Sequence, residues 1–498
     1  MSHPPSARLA KLDAHLRPIA SSSSSSLPST TTSAHTVSAL ASTSSPATAR
    51  NMASEYSTAP VFQIVPGVQC YDWGIKGSTS RVAQYALATH QLNFQPSDDK
   101  PCAELWMGTH PSLPSRLVSP ASSSSSSAGS DEAPTLSSHL EAHPDLIGDA
   151  VARKFSDEEP GCLPFLFKVL SVGKALSIQA HPDKKLGKRL HQQRPDVYKD
   201  PNHKPEMAIA LTPFSGFCGF RPLAEIGGFI DTVPEFAQLC SLGQSQLEEL
   251  HDLIQSEADA SSASVKSMLR TIFSNLMRAP ASTYEALCDA TSRRFSSSSS
   301  AGVPQEERAL LLKLNEQYPH DIGIFCTFLL NINRLEAGQA MFLQANEPHA
   351  YLEGEILECM AASDNVVRAG LTPKLRDVDT LIDMCTYTSG KALGMLDATD
   401  WKCKRDGGDG EAKLFSPPID EFDLVVSSLP RGGKQEQGAV QGPSILLGLE
   451  GEVRLRWQQG EELTLGAGTV VFVAAGCDLA FEAGQDQDAR WARAFVQP

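Results

Sequence analysis

Four residues of this chain could together hold a divalent cation. Gln179 and His181 stand two apart in SIQAHPDKK, Glu206 lies in NHKPEMAIA, and His349 lies in NEPHAYLEGE. Near a strand end, a spacing of two sends both side chains from the same sheet face. One amide oxygen, one carboxylate and two imidazoles suit a borderline cation, zinc before others. With Zn2+ and a single carboxylate the cluster would carry about +1, the charge of a Lewis acid able to polarise a carbonyl or steady an enediolate. The plainer alternative makes each histidine an ordinary surface or core residue. None of the 13 histidines follows His349, so the last 149 residues offer no histidine-based metal site.

Cations accompany this set. In SDNVVRAGLTPK (363–374) the strand core VVRAG carries Arg368 into an apolar run. A guanidinium there must be paired or must face a polar cavity, because burying it alone is costly. Its alternative role is a structural salt bridge. Lys168 in FLFKVL, Lys204 and Lys374 are further cations in strand or strand-edge settings. Cations placed around a metal in an acidic protein suit a phosphate. Lysines at strand edges also serve simply as solvated edge guards.

The elements that would position these residues change character along the chain. Short apolar runs bounded by Pro, Gly or charge occur at 165–170 (FLFKVL), 175–179 (ALSIQ) and 207–211 (MAIAL), which is the strand pattern. From about Leu223 to Leu314 the spacing turns helical, with Met268, Leu269, Ile272, Phe273, Leu276 and Met277 on one face. Strands return at 340–343 (AMFL), 355–360 (EILECM), 444–449 (SILLGL), 453–457 (VRLRW) and 469–473 (TVVFV). The order β, α, long β predicts a mainly β fold: barrels or jelly rolls with a helical insertion, not a doubly wound sheet. No GxGxxG, GxxxxGKS/T or GxSxG stands where a nucleotide or hydrolase site would need it.

Composition narrows the function classes. The chain has 498 residues, 41% of them apolar, enough for several domains and a large core. A net charge of −16 disfavours nucleic acid and anionic membrane as general partners. No run reaches the ~18–20 apolar residues of a membrane span. Eleven cysteines, an odd number with no CxxC pair, read as reduced thiols of an intracellular protein. The first fifty residues hold Arg8, Lys11, Arg17 and Arg50 against Asp13 and are rich in Ser, Thr and Ala. Such a segment buries too little to offset chain entropy and is expected to be disordered, organellar targeting being the lesser alternative. Serine tracts at 119–132 and 296–302 are expected to be flexible loops.

Several long motifs, in order, resemble one family. YDWGIKGSTSRVAQ (71–84), CAELWMGTHPSLPS (102–115), PFLFKVLSVGKALSIQAHPDKKL (164–186), HKPEMAIALTPFSGFCGFRP (203–222), QAMFLQANEPHAYLEGEILECMAASDNVVRAGLTPK (339–374) and SPPIDEFDLV (416–425) are similar to type I mannose-6-phosphate isomerases. The resemblance covers roughly residues 56–498, sparing the arm and the serine tracts. Gly173, five residues, then Gln179-x-His181 is similar to a first cupin motif with its first histidine replaced. Asn346 stands where many cupins keep Gly, and Cys102 precedes Ala103–Glu104 where Tyr is commoner.

The resemblance implies a cupin-type jelly-roll catalytic domain with an α-helical insert, plus a second, metal-free C-terminal jelly roll. It implies an arm at 1–55, a catalytic domain in two parts (56–220 and 311–391), a helical insert at 221–310 and a C-terminal domain at 392–498. It implies one Zn2+ per chain held by Gln179, His181, Glu206 and His349, with Arg368 catalytic. The implied reaction interconverts mannose 6-phosphate and fructose 6-phosphate through a cis-enediol, supplying mannose for GDP-mannose and glycosylation. Glu358 and Lys168 are then the candidates for the proton shuttle, Glu358 having a structural strand carboxylate as its alternative. Ser177 and Lys374 are the candidates for the phosphate. A cytoplasmic monomer with a sugar phosphate as partner is expected, without nucleic acid or membrane. The rival reading is a catalytically silent sugar-binding or regulatory cupin.

Overall fold

The computed structural model describes residues 58–118, 133–297, 302–401, 409–458 and 460–498. The arm, the serine tract at 119–132 and most of that at 296–302 lie outside the described residues, and with them the expectations made for them.

One strand organises the catalytic half. His349–Ala361, 13 residues long, pairs antiparallel with Phe165–Val172 on one side and Glu206–Ala210 on the other. Its first residues pair instead with Phe214–Phe220 and with Ile178–Ala180, and the latter pairs with Val367–Gly370. The sheet therefore curls until strands distant in sequence meet. Strand Ile178–Ala180 is shorter than the run at 175–179 suggests, and Ser177 lies just before it. EILECM is the second half of the long strand.

The two halves of that strand differ in parity. Tyr351 and Ile356 share one core cluster although they are five residues apart, a spacing that would place them on opposite faces of a regular strand. The break falls at Gly354, whose φ is +107° and whose missing Cβ would lie 2.6 Å from the Pro213 carbonyl. Only glycine fits there without strain. The pairing with Phe214–Phe220 also shifts register between Ser215 and Gly216.

Six helices between Leu223 and Gln317 form the insert. The helix expected from Met268 to Met277 is Ala263–Met277, and all six of its named apolar residues are buried. The 310 boundary falls inside the helix Gln305–Gln317. The insert packs on Ile178, Ala180, Ala350, Leu352, Val367 and Ala369. Those are the alternate neighbours of Gln179, His349 and Arg368, so the helices bury the back of the strands whose other face carries the candidate residues.

The C-terminal half is a second jelly roll of an eight-stranded and a four-stranded sheet. Val61–Val65 belongs to it: Val61, Phe62 and Gln63 pair with Val473, Phe472 and Val471. The first strand of the chain's catalytic half is thus shared in hydrogen bonding with the sheet of the C-terminal half. Alternating VFQIV fits the pleat of any sheet, and only long-range pairing selects which one. Phe167, Val169, Leu357 and Cys359 of the first jelly roll meet Phe415, Leu424, Ile445 and Phe472 of the second in one shared core. The fold is thus mainly β with a helical insertion, as the sequence implies.

Candidate active site

Three donors meet inside the first jelly roll. His181, Glu206 and His349 are each at most 2% exposed, and their ligand atoms lie within 4.8 Å of one another. The Nδ1–H of His181 donates to the Asn365 carbonyl at 2.7 Å, and that of His349 donates to the Glu347 carbonyl at 3.0 Å. A carbonyl can only accept, so both rings carry their proton on Nδ1 and turn a lone pair on Nε2 inward. Each Nε2 faces a Glu206 oxygen at 3.4 Å. Burial, opposed by Glu206, pulls the His181 pKa down to about 4, so its ring is neutral. Against the upward push of burial, Lys204 and His181 hold the Glu206 carboxyl well below its ordinary range.

Acceptors thus face acceptors. His181 Nε2, His349 Nε2 and Glu206 Oε2 are buried without a hydrogen-bond partner. Three orphaned lone pairs aimed at one point are costly as they stand and satisfied by a cation among them. The donor set fits a divalent metal. Gln179 lies beside this set by register: its Cα partners are His349 on one side and Arg368 on the other, so all three share a sheet face.

Arg368 is half-buried, and burial lowers its pKa. Among the described residues its side chain makes no hydrogen bond or ion pair, so the structural salt bridge considered for it is not present. The turn beyond it is pinned by Asp321, whose carboxylate accepts from the backbone N–H groups of Gly323, Leu371 and Thr372 at 2.7–3.0 Å.

Next to the metal set lies a buried charge relay. In the sheet register Trp106, Lys168, Glu358 and Ala208 form one row. Lys168 Nζ is 3.1 Å from Glu358 and 3.5 Å from Glu104, and 4.6 Å from the centre of the Trp106 ring. Trp106 donates its indole N–H to Glu104. The Tyr351 hydroxyl donates to Glu358 at 2.8 Å, a contact the parity break at Gly354 makes possible. Burial alone would discharge Lys168, but Glu104 and Glu358 outweigh it and raise its pKa. Burial, with Glu206 and Glu104 adding to it, raises Glu358.

The structure brings together Lys168, Gln179, His181, Glu206, His349, Glu358 and Arg368. Ser177 is half-buried and, two before Gln179, follows the same alternation. Lys374 is exposed in the loop after Arg368, its ammonium without an ion-pair partner among the described residues. Sequence reasoning missed Glu104, Trp106, Tyr351 and Asp321; it named Lys204 only as a cation around the metal set and gave it no partner there. Glu104 carried the same signal as Arg368, a charge within an apolar run (AELWM). Lys204 Nζ lies 3.2 Å from Glu206 Oε1; its signal was the Lys-Pro-Glu spacing, since a residue before proline is extended.

Three family models match the chain: Phosphomannose isomerase type I catalytic domain at 61–223, helical insertion domain at 242–330, and C-terminal at 412–456. The mannose-6-phosphate isomerase of Cryptococcus neoformans var. neoformans serotype D is 46% identical over 439 residues, covering 85% of this chain and 96% of that protein. The chain belongs to the type I phosphomannose isomerase family. It is an isomerase of that family. The Saccharomyces cerevisiae member is 40% identical, covering 88% of this chain and 99% of its own. The mannose 6-phosphate isomerase of Salmonella typhimurium, solved with fructose 6-phosphate and zinc, superposes with a TM-score of 0.68 at 29% identity over 88% of this chain and all of that one. A zinc-bound mannose 6-phosphate isomerase and the apo form of the Salmonella typhimurium enzyme share the fold.

Proposed function

We propose that this enzyme interconverts D-mannose 6-phosphate and D-fructose 6-phosphate through a cis-enediol at the His181–Glu206–His349 cluster. The observation that carries this reading is the set of three buried, unpartnered lone pairs beside an unpaired arginine. Gln179, His181, Glu206 and His349 would hold one zinc ion, which when bound polarises the sugar carbonyl and raises the acidity of the adjacent C–H.

In the forward direction the proton leaves C2 and one is added at O1, giving the enediol. A proton then returns at C1 while O2 loses its own, so the sum is zero. Glu358 is the group we assign to the carbon proton, since burial raises its carboxyl pKa and makes it a stronger proton acceptor than a solvated carboxylate. Lys168, held protonated between two carboxylates, is a poor proton acceptor and instead fixes Glu358 with Tyr351. Arg368 stabilises the charge that develops on the sugar oxygens. Ser177 and Lys374 take the phosphate, one offering a hydroxyl and the other an ammonium. In the cell this activity would supply mannose for GDP-mannose and glycosylation from the cytoplasm, as a monomer. No helix among the described residues is long and apolar enough to cross a membrane.

The test is turnover of mannose 6-phosphate by the purified chain with and without chelator, with zinc measured in the same samples. Turnover lost to chelator and restored by zinc is expected. Sugar phosphate binding without turnover in the zinc-loaded protein would install the rival reading, a silent sugar-binding cupin.

A further inference from the structure

The interior of the C-terminal jelly roll contains a guanidinium, 5.8 Å from the centre of the Phe495 ring, that no carboxylate among the described residues balances. Arg493 is fully buried. Its Nε donates to Ser444 Oγ at 3.0 Å and its Nη1 to Gln437 Oε1 at 3.3 Å. Gln437 in turn donates from Nε2 to Ser427 Oγ and to Gln435 Oε1, both at 3.0 Å. Nη2 is buried with no partner. No carboxylate pairs with Arg493 among the described residues. In register its neighbours are Val425 and Leu446, so apolar side chains flank it across both strands.

The donor count points one way. Ser444 and Ser427 each accept a hydrogen bond, which leaves their own hydroxyl hydrogens free to donate. Nη2 brings two more hydrogens, and no acceptor of the cluster lies within hydrogen-bond distance of it. The cluster therefore lacks an acceptor at Nη2 and is one unit positive. Cys477 does not supply the missing charge, because burial pushes its thiol up and keeps it protonated at neutral pH. Burial pulls the Arg493 pKa down to about 10, which still leaves the guanidinium charged at pH 7. An unpaired ion in such surroundings costs several kcal/mol, a cost that a counter-ion removes.

We propose that the C-terminal jelly roll holds a small monovalent anion of the chloride class against Nη2 of Arg493. One negative charge closes the balance, which a phosphate dianion would overshoot. The site is independent of the metal centre and serves the stability of the second jelly roll.

The experiment is thermal melting of the full chain at fixed ionic strength, with sodium chloride or bromide replacing sodium gluconate. Chloride and bromide are expected to raise Tm in a saturable way by about 2–4 °C. Arg493→Met should lose that dependence and keep its turnover of mannose 6-phosphate. Should Arg493→Met fail to fold, Ser444→Ala keeps the guanidinium and removes one donor. It should require several-fold more chloride for half the effect. Crystals grown in bromide should show an anomalous peak beside Arg493. Equal melting in chloride and gluconate with no bromide peak would overturn the proposal. So would an unchanged chloride response in Arg493→Met, or in Ser444→Ala where Arg493→Met does not fold.

Discussion

The first jelly roll turns Glu104, Glu206 and Glu358 inward against Lys168 and Lys204, with His181 and His349 beside them. The second turns Arg493 inward with Ser427, Gln435, Gln437 and Ser444 and no acid. One interior is thus short of positive charge and the other short of negative charge, inside closely similar β architecture. The difference teaches that the architecture supplies a dry, walled space, while the inward residues alone decide what occupies it. With no histidine or carboxylate beside Arg493 among the described residues, the second jelly roll is a scaffold whose other sheet face packs on the first.

The comparison breaks most severely at the metal donors. His181→Ala or His349→Ala should cost zinc and turnover together, the activity falling by about 10³-fold or more, as expected when a Lewis acid worth several kcal/mol is lost. Metal analysis beside steady-state kinetics checks it; full activity in a zinc-free variant would remove the metal from the reaction. Arg368→Ala sharpens the distinction between holding metal and stabilising charge. It should keep close to stoichiometric zinc while kcat falls about 10²- to 10³-fold with a smaller change in KM. Arg368→Lys should recover little, since an ammonium lacks the planar fork. A normal kcat in Arg368→Ala would make the arginine structural.

A smaller effect is expected at the parity break. Gly354→Ala places a Cβ against the Pro213 carbonyl at a φ of +107°, costing about 1–3 kcal/mol. It should also lower kcat by disturbing the Tyr351–Glu358 contact, and a Tyr351→Phe variant separates the two effects by losing kcat without melting temperature.

The pairing of Glu421 with His203 at 2.6 Å ties the second jelly roll to the segment leading into Glu206. Burial pushes the Glu421 pKa up, but His203 outweighs it and the folded pKa is depressed below 4.5. A depressed carboxyl pKa contributes stability that is fully present above the unfolded pKa and is lost as pH falls through the folded one. Glu421→Gln should therefore melt below the parent at pH 7, and the gap should narrow below about pH 4.5. A gap independent of pH would assign the loss to packing. The smallest effect is expected from the regions neither jelly roll needs. A chain starting at Met52, or one with a short Gly-Ser loop at 119–131, should keep turnover and melt within about 1 °C of the parent. A loss of several degrees would show that these segments pack.

Much of this enzyme was legible in its residues. A two-residue spacing puts Gln179 and His181 on one face because side chains alternate in any strand, wherever that strand lies. The helical period from Met268 to Met277 marks a buried helix face for the same local reason. A charge inside an apolar run, as at Arg368 and Glu104, announces a polar cavity before the cavity is seen. What occupies the other side of each strand is a different kind of fact. That Arg368, Gln179 and His349 line up across three strands, that Val61–Val65 crosses to the far sheet, and that Tyr351 reaches Glu358 past a break at Gly354 all depend on pairings between distant segments. Local periodicity fixes the face a side chain takes but carries no information on its partner; register is set by closing long loops and burying both faces at once, and only the folded chain does that.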